Sequence, residues 1–334
     1  MSVHDANKAR LAPFRAAFAA GVPEGMYHEL FKLFEPEARI RLGFPLGEAA
    51  GPDAFWGWIY GPLLAAMPDF ERRDFIVMSG PARDGAGDWV GLGGNIVGTF
   101  VSPWLGIPPT GRPVHMRYHE YYRFEDGRVV EMEGLWDIPQ VMHQAHVWPM
   151  APQLGVEWMC PGPAEGGVID APHDAEQGAA AVNVVWDMLQ ELQEGDAATP
   201  ERGLGGRWHP NALWYGSTGI GSARGHRGIR DVVLRGFRTG LSDNIRALDE
   251  GVFFGDRNFV AFTGWPSAEA THSGDGFLGL APTGRRFTRR SLDFWRIEDG
   301  LIRENWVMVD LLDIYRQLGV DVLARMSAIA TRAA

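Results

Sequence analysis

The sequence predicts two tandem α+β domains, in each of which helices come first and strands follow. The main observation is an internal repeat. The nine residues Trp104–Arg112 recur 173 positions later as Phe277–Arg285, and the match continues without a gap to Gly127 and Gly300. Of the 24 paired positions 11 are identical, where average amino-acid usage predicts roughly one or two. A repeat this long indicates duplicated domains rather than a solenoid.

Two further observations agree with a duplication. The repeat extends upstream at an offset of 174, and a length of 334 residues suits two domains of ordinary size. A proline- and glycine-rich stretch, 148–173, predicts a linker between a first domain, 1–147, and a second, 174–334. The identical upstream pairs are Pro36 and Pro210, Gly47 and Gly221, Gly51 and Gly225, Asp69 and Asp243, and Arg72 and Arg246.

The first domain is predicted to begin with three helices and to end in four strands. Apolar residues spaced by three and four predict helices over Pro13–Ala20, Gly25–Phe34 and Pro52–Met67. The Asp126-Gly127 pair predicts a hairpin turn between the last two strands. The predicted strands are Asp74–Ser79, Trp89–Phe100, Val114–Phe124 and Arg128–Trp136.

The second domain repeats this order. Helices grouped before an antiparallel sheet predict a curved sheet with helices covering one face. The predicted helices are Asp174–Gln193, Ile229–Arg238 and Leu311–Leu318. The predicted strands are Ala212–Tyr215, Ile245–Phe254, Phe259–Thr271, Phe287–Ile297 and Leu301–Val309.

Composition excludes several classes of protein. A net charge of −11 argues against nucleic acid and anionic membranes as partners, and no apolar run is long enough to span a bilayer. The single cysteine, Cys160, and an N-terminus without a signal pattern favour a cytoplasmic protein. Phosphate-loop, nucleophile-elbow and metal-spacing motifs are missing. Thirteen tryptophans and 18 phenylalanines suit either aromatic cores or a pocket for a flat hydrophobic ligand.

A string of residues in the second copy resembles the SnoaL-like polyketide cyclase family, which belongs to the cone-shaped, cystatin-like α+β barrels named after nuclear transport factor two. The resemblance covers nearly all of 175–320 and, more loosely, 10–145. It implies an intramolecular aldol ring closure on a polyketide methyl ester, without metal or organic cofactor. The string comprises Ala270-Thr271-His272, Gly279, Pro282-Thr283-Gly284-Arg285, Glu298-Asp299-Gly300-Leu301-Ile302, Glu304, Trp306, Asp310 and Gln317-Leu318-Gly319.

The family's general acid and base is an aspartate on the last strand. Carried over, it is Asp310, with Asp137 as its counterpart in the first copy. His272 of the second copy is matched by a phenylalanine in the first, and Trp306 by Glu133. The second copy is therefore the better candidate for activity.

Strand alternation places Glu304, Trp306, Met308 and Asp310 on one face, together with Ile302. Tryptophan and methionine neighbours would desolvate the acid and raise its pKa towards the range needed to take and return a proton. His272 could hydrogen-bond the developing enolate. The predicted substrate contacts are Trp306, Glu304, Met308, Arg296 and Glu133.

Structural roles compete with these assignments. Asp310 and Asp137 each precede a helix signal, so N-capping is an alternative for both. Glu304 could simply pair with Arg296. His272 could be an ordinary hydrogen-bonded histidine.

Three other functions stay open. The same fold could serve as a non-catalytic ligand-binding or assembly module, as an epoxide hydrolase or as a ketosteroid-isomerase-like enzyme. Epoxide hydrolysis would need an acid–arginine–acid relay. The available set, Asp293, Arg296 and Asp310, has Asp293 and Arg296 on opposite strand faces, which disfavours it.

A hydrophobic small-molecule substrate is the expected partner. We also expect the two domains to pack as an intramolecular pseudo-dimer, because the free sheet face of single-domain relatives commonly pairs. Tyr118, Tyr122 and Trp295 are candidates for that face. The whole chain could dimerise further.

Overall fold

The computed structural model describes residues 1–194, 204, 206–241 and 243–333. Its first half begins with two helices and continues into a six-stranded sheet. A π-helical turn, Trp56–Tyr60, joins the two short helices α3 and α4. The helices are α1 (Val3–Ala20), α2 (Pro23–Leu33), α3 (Gly51–Phe55), α4 (Gly61–Ala66) and α5 (Ile138–Gln144). The strands are β1 (Phe34–Leu42), β2 (Glu48–Ala50), β3 (Glu71–Pro81), β4 (Asp88–Thr99), β5 (Pro113–Glu125) and β6 (Arg128–Trp136).

The second half follows the same order of elements. It again contains a π-helical turn, Arg230–Leu234, followed by a 3₁₀ turn, Leu248–Glu250. The helices are α6 (Ala175–Glu194), α7 (Gly225–Ile229), α8 (Arg235–Gly240), α9 (Leu311–Gln317) and α10 (Val322–Ala333). The strands are β7 (Trp208–Tyr215), β8 (Ala223–Arg224), β9 (Ile245–Arg246), β10 (Val252–Asp256), β11 (Phe259–Thr271), β12 (Arg286–Glu298) and β13 (Leu301–Val309).

Both sheets have the same topology, and the α+β class is confirmed. The first runs β2-β1-β6-β5-β4-β3, and the second runs β8-β7-β13-β12-β11 with β9 and β10 both along β11. Each sheet is mixed, since β1 pairs parallel with β6 and β7 pairs parallel with β13. The prediction of an antiparallel sheet in each domain is therefore wrong for these two pairings, while the other strand pairs are antiparallel. It missed β1 because Glu35-Pro36-Glu37 interrupts the apolar alternation on which it relied.

The predicted start of the first helix is also wrong. Helix α1 begins at Val3, ten residues before Pro13. Ser2 and Asp5 form a capping box, in which each side chain bonds the other residue's backbone N–H. The predicted helix began at Pro13 because the aromatic spacing of Phe14 and Phe18 starts there.

Each sheet has an inner face covered by helices and an outer face that contacts the other half. On β5, Tyr118 and Tyr122 point inward, and their hydroxyls donate to Asp74 and Glu120. Trp295 lines the inner side of the second sheet. The assignment of these three aromatic residues to the outer face is therefore wrong, because alternation fixes which residues share a face but not which face meets a partner.

The outer faces of the two sheets pack against each other. Tyr121 donates its hydroxyl to the Asp293 carbonyl at 2.6 Å. Gly91 and Gly93 accommodate the Phe294 ring, and a Cβ at either glycine would come within 2.8 and 3.1 Å of it. Buried side chains from both halves form this contact, including Ile76, Met78, Trp89, Leu135, Phe254, Leu292, Trp306 and Met308.

The linker is attached to both halves. Val168 pairs with Val77 of β3, and Val156 pairs with Ser222 beside β8. Gln153 accepts a hydrogen bond from the Gly219 amide at 2.6 Å. No helix within the described residues is long and apolar enough to cross a membrane.

Candidate functional site

The concave side of the second sheet encloses a cavity of about 110 Å³. Helix α6 and the π-helical turn cover it with aliphatic side chains. One end is polar, with Arg246, Arg289, Ser291, Asp293 and Asn305. The remaining lining residues are Met188, Leu189, Leu192, Leu204, Trp208, Trp214, Ile220, Ile229, Val233, Leu234, Phe237, Trp295, Val307 and Val309.

Strand alternation explains which residues reach this cavity. On β12, every second residue from Arg289 to Trp295 points inward, so Ser291 and Asp293 lie between them on the same face. On β13, the inward positions start with Asn305. The intervening residues of both strands face the first half of the chain.

Asp293 is the carboxylate of the cavity. Its Oδ2 accepts a hydrogen bond from the Ser291 hydroxyl at 3.4 Å, while Oδ1 is buried and has no hydrogen-bond partner in the described residues. Burial raises the pKa of Asp293 to about 7, although the nearby Arg289 and Arg246 guanidinium groups oppose the shift. An acid with such a pKa can both remove and return a proton near neutral pH.

Two arginines accompany this acid. Burial lowers the pKa of Arg289 to about 9 and also lowers the pKa of Arg246. Arg289 is 7% exposed, lies over the Phe237 ring at 5.3 Å and donates from Nε to the Ser267 hydroxyl at 3.4 Å. Neither arginine forms an ion pair with Asp293 within 4.0 Å. Their remaining N–H groups are available to a ligand.

The first half carries an equivalent acid and arginine in a closed arrangement. The repeat pairs Glu120 with Asp293 and Arg72 with Arg246. Arg72 Nη1 lies 2.7 Å from Glu120 Oε2, and Trp136 Nε1 donates to Glu120 Oε1 at 2.8 Å. In this half the acid is fully satisfied by protein groups.

Side-chain size explains why an acid is accessible in one half and enclosed in the other. Five large aromatic residues in the interior of the first sheet have smaller counterparts in the second, although Tyr122 is matched by the larger Trp295. The space that the smaller side chains do not fill forms the cavity beside Asp293. The pairs are Phe14 and Met188, Phe18 and Leu192, Tyr60 and Leu234, Tyr118 and Ser291, and Trp136 and Val309.

Asp310 lies outside this cavity, at the junction of the two halves. Its Oδ2 accepts from the Phe44 amide of the first half at 3.0 Å, and Arg290 Nη1 stands 3.4 Å away. Its Oδ1 accepts from the Asp313 amide, so Asp310 caps α9. Burial raises the pKa of Asp310 to about 6.

Asp137 occupies the matching position in the first half. Its Oδ2 accepts from the Thr218 amide of the second half at 2.9 Å, and Arg117 Nη2 stands 3.8 Å away. Thr218 is the repeat counterpart of Phe44, so the two aspartates make reciprocal contacts. Burial raises the pKa of Asp137 to about 6, and no side-chain cap bond to α5 is formed. Both acids line a crevice of about 10 Å³.

The other predicted residues of β13 face the first half. Trp306 stacks on Tyr215 with ring centroids 5.2 Å apart, and its Nε1 donates to the Pro161 carbonyl at 3.0 Å. Glu304 pairs with Arg296. Met308 Sδ accepts from Arg117 at 3.2 Å.

The predicted common face holds from Glu304 to Met308 but excludes Ile302. The register of β12 and β13 shifts between the pairs Arg296–Glu304 and Ile297–Ile302. Such an irregularity adds one residue to a strand and reverses the side on which the preceding side chains lie. Ile302 accordingly packs in the main core, whereas Trp306 and Met308 pack between the halves.

Glu133 and His272 also lie outside the cavity. Glu133 pairs with Arg41 and accepts a bond from the Thr263 hydroxyl of the second half. His272 follows β11, with Nδ1 3.2 Å from the Thr283 hydroxyl and its ring 5.8 Å from that of Phe277. Neither residue is brought together with Asp310.

Sequence reasoning did not select Asp293, Arg246 and Arg289 as a site. The sequence did contain a signal for this site, because the repeat aligns the acid Asp293 with Glu120 and aligns Arg246 with Arg72. Side-chain alternation along β12 also places Arg289, Ser291 and Asp293 on one face of the sheet. Within the described residues, no three His, Cys, Asp or Glu side chains are arranged to hold a metal ion.

Comparisons with solved structures match one half of the chain at a time. IdmH, a candidate polyketide cyclase from Streptomyces antibioticus, is 25% identical over 42% of this chain and 98% of its own, with a TM-score of 0.35. AclR, a candidate hydroxylase from Streptomyces galilaeus, is 22% identical over 42% of this chain and 84% of its own, with a TM-score of 0.34. A candidate SnoaL-like polyketide cyclase from Jannaschia sp. CCS1 is 20% identical over 42% and 92%, with a TM-score of 0.36.

A search of curated proteins gives no significant match. The sequence model of the SnoaL-like polyketide cyclases matches twice, over residues 24–145 and 184–318. Together the two matches cover more than half of the chain, and each falls on one of the two sheets described above. The chain therefore belongs to the SnoaL-like polyketide cyclase family and contains two copies of its domain.

Proposed function

We propose that the second half is a proton-transfer enzyme, in which Asp293 acts as general base and acid on an apolar carbonyl compound. The observation that carries the proposal is an unpartnered carboxylate oxygen, Asp293 Oδ1, beside a cavity with otherwise mainly apolar walls. The reaction that fits the family is an intramolecular aldol ring closure. Isomerisation through the same enolate, as in a ketosteroid-isomerase-like enzyme, is the second candidate.

The proposed reaction has three steps, in which Asp293 takes one proton and returns it. The ionised carboxylate removes a proton from a carbon flanked by carbonyl groups, and the electron pair moves onto a carbonyl oxygen as an enolate. The enolate carbon attacks a second carbonyl of the same substrate and forms a carbon–carbon bond. The resulting alkoxide takes the proton back from Asp293, so the acid is regenerated.

The surroundings of Asp293 support each step. Burial keeps its pKa near the operating pH, which balances removal against return of the proton. The guanidinium group of Arg246 can donate N–H bonds to the developing negative oxygen. Aliphatic residues and Trp295 exclude water from the enolate.

Asp310 is the competing general base, and its contacts favour a different role. Both of its oxygens already accept backbone N–H bonds, and the neighbouring crevice of about 10 Å³ is smaller than an organic substrate. Asp137 makes the same cross-domain contact in the half whose interior is filled. Both aspartates join the halves through one oxygen, and Asp137 Oδ1, unpartnered among the described residues, faces a crevice of only about 10 Å³. Epoxide hydrolysis is disfavoured, because Asp293 is the one carboxylate lining the described cavity.

Isotope exchange tests the assignment without knowledge of the natural substrate. The protein is incubated in D₂O with a cyclic β-keto ester, and NMR follows deuterium incorporation at the acidic carbon above the uncatalysed rate. A panel of single-ring keto acids with a second carbonyl in the side chain, together with their methyl esters, then tests ring closure in a cavity of this size. We expect Asp293→Asn to lower the catalysed rate by about 10²- to 10⁴-fold, while Asp310→Asn retains it. Loss of exchange in Asp310→Asn with full activity in Asp293→Asn would reverse the assignment.

A further inference from the structure

The polar end of the cavity holds more positive than negative charge. Arg246 and Arg289 line it, against Asp293 as the one carboxylate of the described lining. When Asp293 is ionised, one of these arginines has a counter-ion in the cavity and the other does not. An unbalanced buried charge is costly, so proteins usually pair it.

A third guanidinium, that of Arg238, lies near Arg246 but does not line the cavity. Arg238 Nη1 and Nη2 are buried and have no hydrogen-bond partner in the described residues. Burial lowers the pKa of Arg246, and the charge of Arg238 lowers it further, whereas Asp293 opposes the shift. Arg246 therefore has a second cation nearby, outside the cavity lining, while Asp293 is the one carboxylate of the described lining.

The first half shows that the surplus is not required by the fold. There Arg72 is paired directly with Glu120 at 2.7 Å. The position equivalent to Arg289 is Met116, which is completely buried. In the second half the acid is the shorter Asp293, which does not reach Arg246. An additional arginine, Arg289, lies on the same inner face of β12 as Asp293. The extra charge accompanies the open cavity.

We propose that the substrate of this cavity carries a carboxylate, which Arg289 binds as its counter-ion. This inference deepens the proposed function and rests on its assignment of the cavity as the substrate site. A guanidinium suits this ligand because its planar N–H groups match the two oxygens of a carboxylate. A neutral ester of the same acid offers no charge to balance.

The charges stay balanced during the proposed reaction. In the bound state, two cavity arginines face the ionised Asp293 and the substrate carboxylate. When Asp293 takes the proton it becomes neutral, and Arg246 is left to stabilise the enolate oxygen. Arg289 holds the substrate carboxylate throughout. Arg289 therefore positions the substrate, and Arg246 stabilises the negative charge that develops on the enolate oxygen.

Matched acid and ester probes test the inference. The cavity is close in size to one aromatic ring, so benzoate and methyl benzoate are titrated against the full chain by calorimetry and tryptophan fluorescence. We expect benzoate to bind more tightly. Arg289→Met, which installs the residue of the first half, should weaken benzoate by about 10- to 100-fold and leave methyl benzoate unchanged. Arg289→Lys should restore part of the difference.

Controls separate this inference from the proposed base. Arg227→Met removes a side chain that is 89% exposed and should change neither affinity. Methyl benzoate binding reports an intact cavity in every variant. Asp293→Asn should tighten benzoate binding, because it removes a like charge, whatever its effect on isotope exchange. If Asp293→Asn still catalysed deuterium exchange, Asp293 would not be the base, but the assignment of Arg289 to the substrate carboxylate would stand.

Three results would overturn the carboxylate assignment. The first is wild-type protein that binds the ester as tightly as the acid. The second is unchanged benzoate affinity in Arg289→Met. The third is failure of both probes to bind at millimolar concentration.

Discussion

Replacing Asp293 with asparagine should change how the stability of the protein depends on pH. Burial raises the pKa of this carboxyl from 3.8 in the unfolded chain to about 7 in the folded protein. Between these values the folded state keeps the proton that the unfolded state has lost, so stability falls as pH rises. A difference of roughly three pKa units at about 1.36 kcal/mol each gives about 4 kcal/mol. Asparagine cannot ionise, so the variant lacks this loss.

Urea unfolding at a series of pH values measures the effect without a substrate. We expect the free energy of unfolding of the wild type, minus that of Asp293→Asn, to fall by about 4 kcal/mol between pH 4 and pH 8. The difference should be constant above and below that window. Asp249→Asn removes an exposed carboxylate and serves as the matched control. Parallel curves for the wild type and Asp293→Asn would refute a raised pKa at Asp293 and weaken its assignment as a base.

Three other substitutions have expected outcomes. Ser291→Tyr places in the second half the residue of the first, and it should abolish benzoate and methyl benzoate binding in calorimetry while leaving the fold intact. Asp310→Ala leaves the Phe44 amide unsatisfied and removes a helix cap, so chemical denaturation should show a loss of about 2 to 4 kcal/mol. Gly91→Ala brings a Cβ within 2.8 Å of the Phe294 ring and should cost about 1 to 3 kcal/mol in the same assay.

Two further variants accompany these predictions, the first as a matched control for Gly91→Ala. Gly228→Ala lies on α7, where a Cβ meets nothing closer than 3.8 Å, and it should be neutral or stabilising. Asp137→Ala should destabilise the protein through the reciprocal contact with Thr218. Unimpaired ligand binding in Ser291→Tyr would contradict the assignment of the cavity, and unchanged stability in Asp310→Ala would contradict its structural role.

The repeat in the sequence was sufficient to predict the duplication and the order of most elements. A long gapless register reflects two halves of the chain that fold alike, because equivalent residues must satisfy equivalent local contacts. The Asp69–Thr99 and Asp243–Thr271 pairs illustrate this, since each aspartate accepts from the backbone amide and hydroxyl of its threonine. Strand β1 escaped prediction because Glu35-Pro36-Glu37 interrupts its apolar alternation.

The site could not be located from alternation alone. A period of two groups Asp293 with Ser291 and Glu304 with Trp306, but it does not say which group faces helices and which faces another sheet. Both faces of these sheets are buried, so both carry apolar residues. Asp310 was selected by resemblance, and its conspicuous position after the last strand also suits a contact between the halves.

The sequence by itself determined the family, the two-domain organisation and the inequality of the two copies. Tertiary structure decided which of the unequal residues matter, because cavity volume depends on side chains from α6, the π-helical turn and four strands at once. Replacing Tyr118 by its counterpart Ser291 changes one residue in the chain, but whether space opens beside the acid depends on every neighbour that could fill it. Packing around the acid, rather than the acid itself, distinguishes the closed half from the open one.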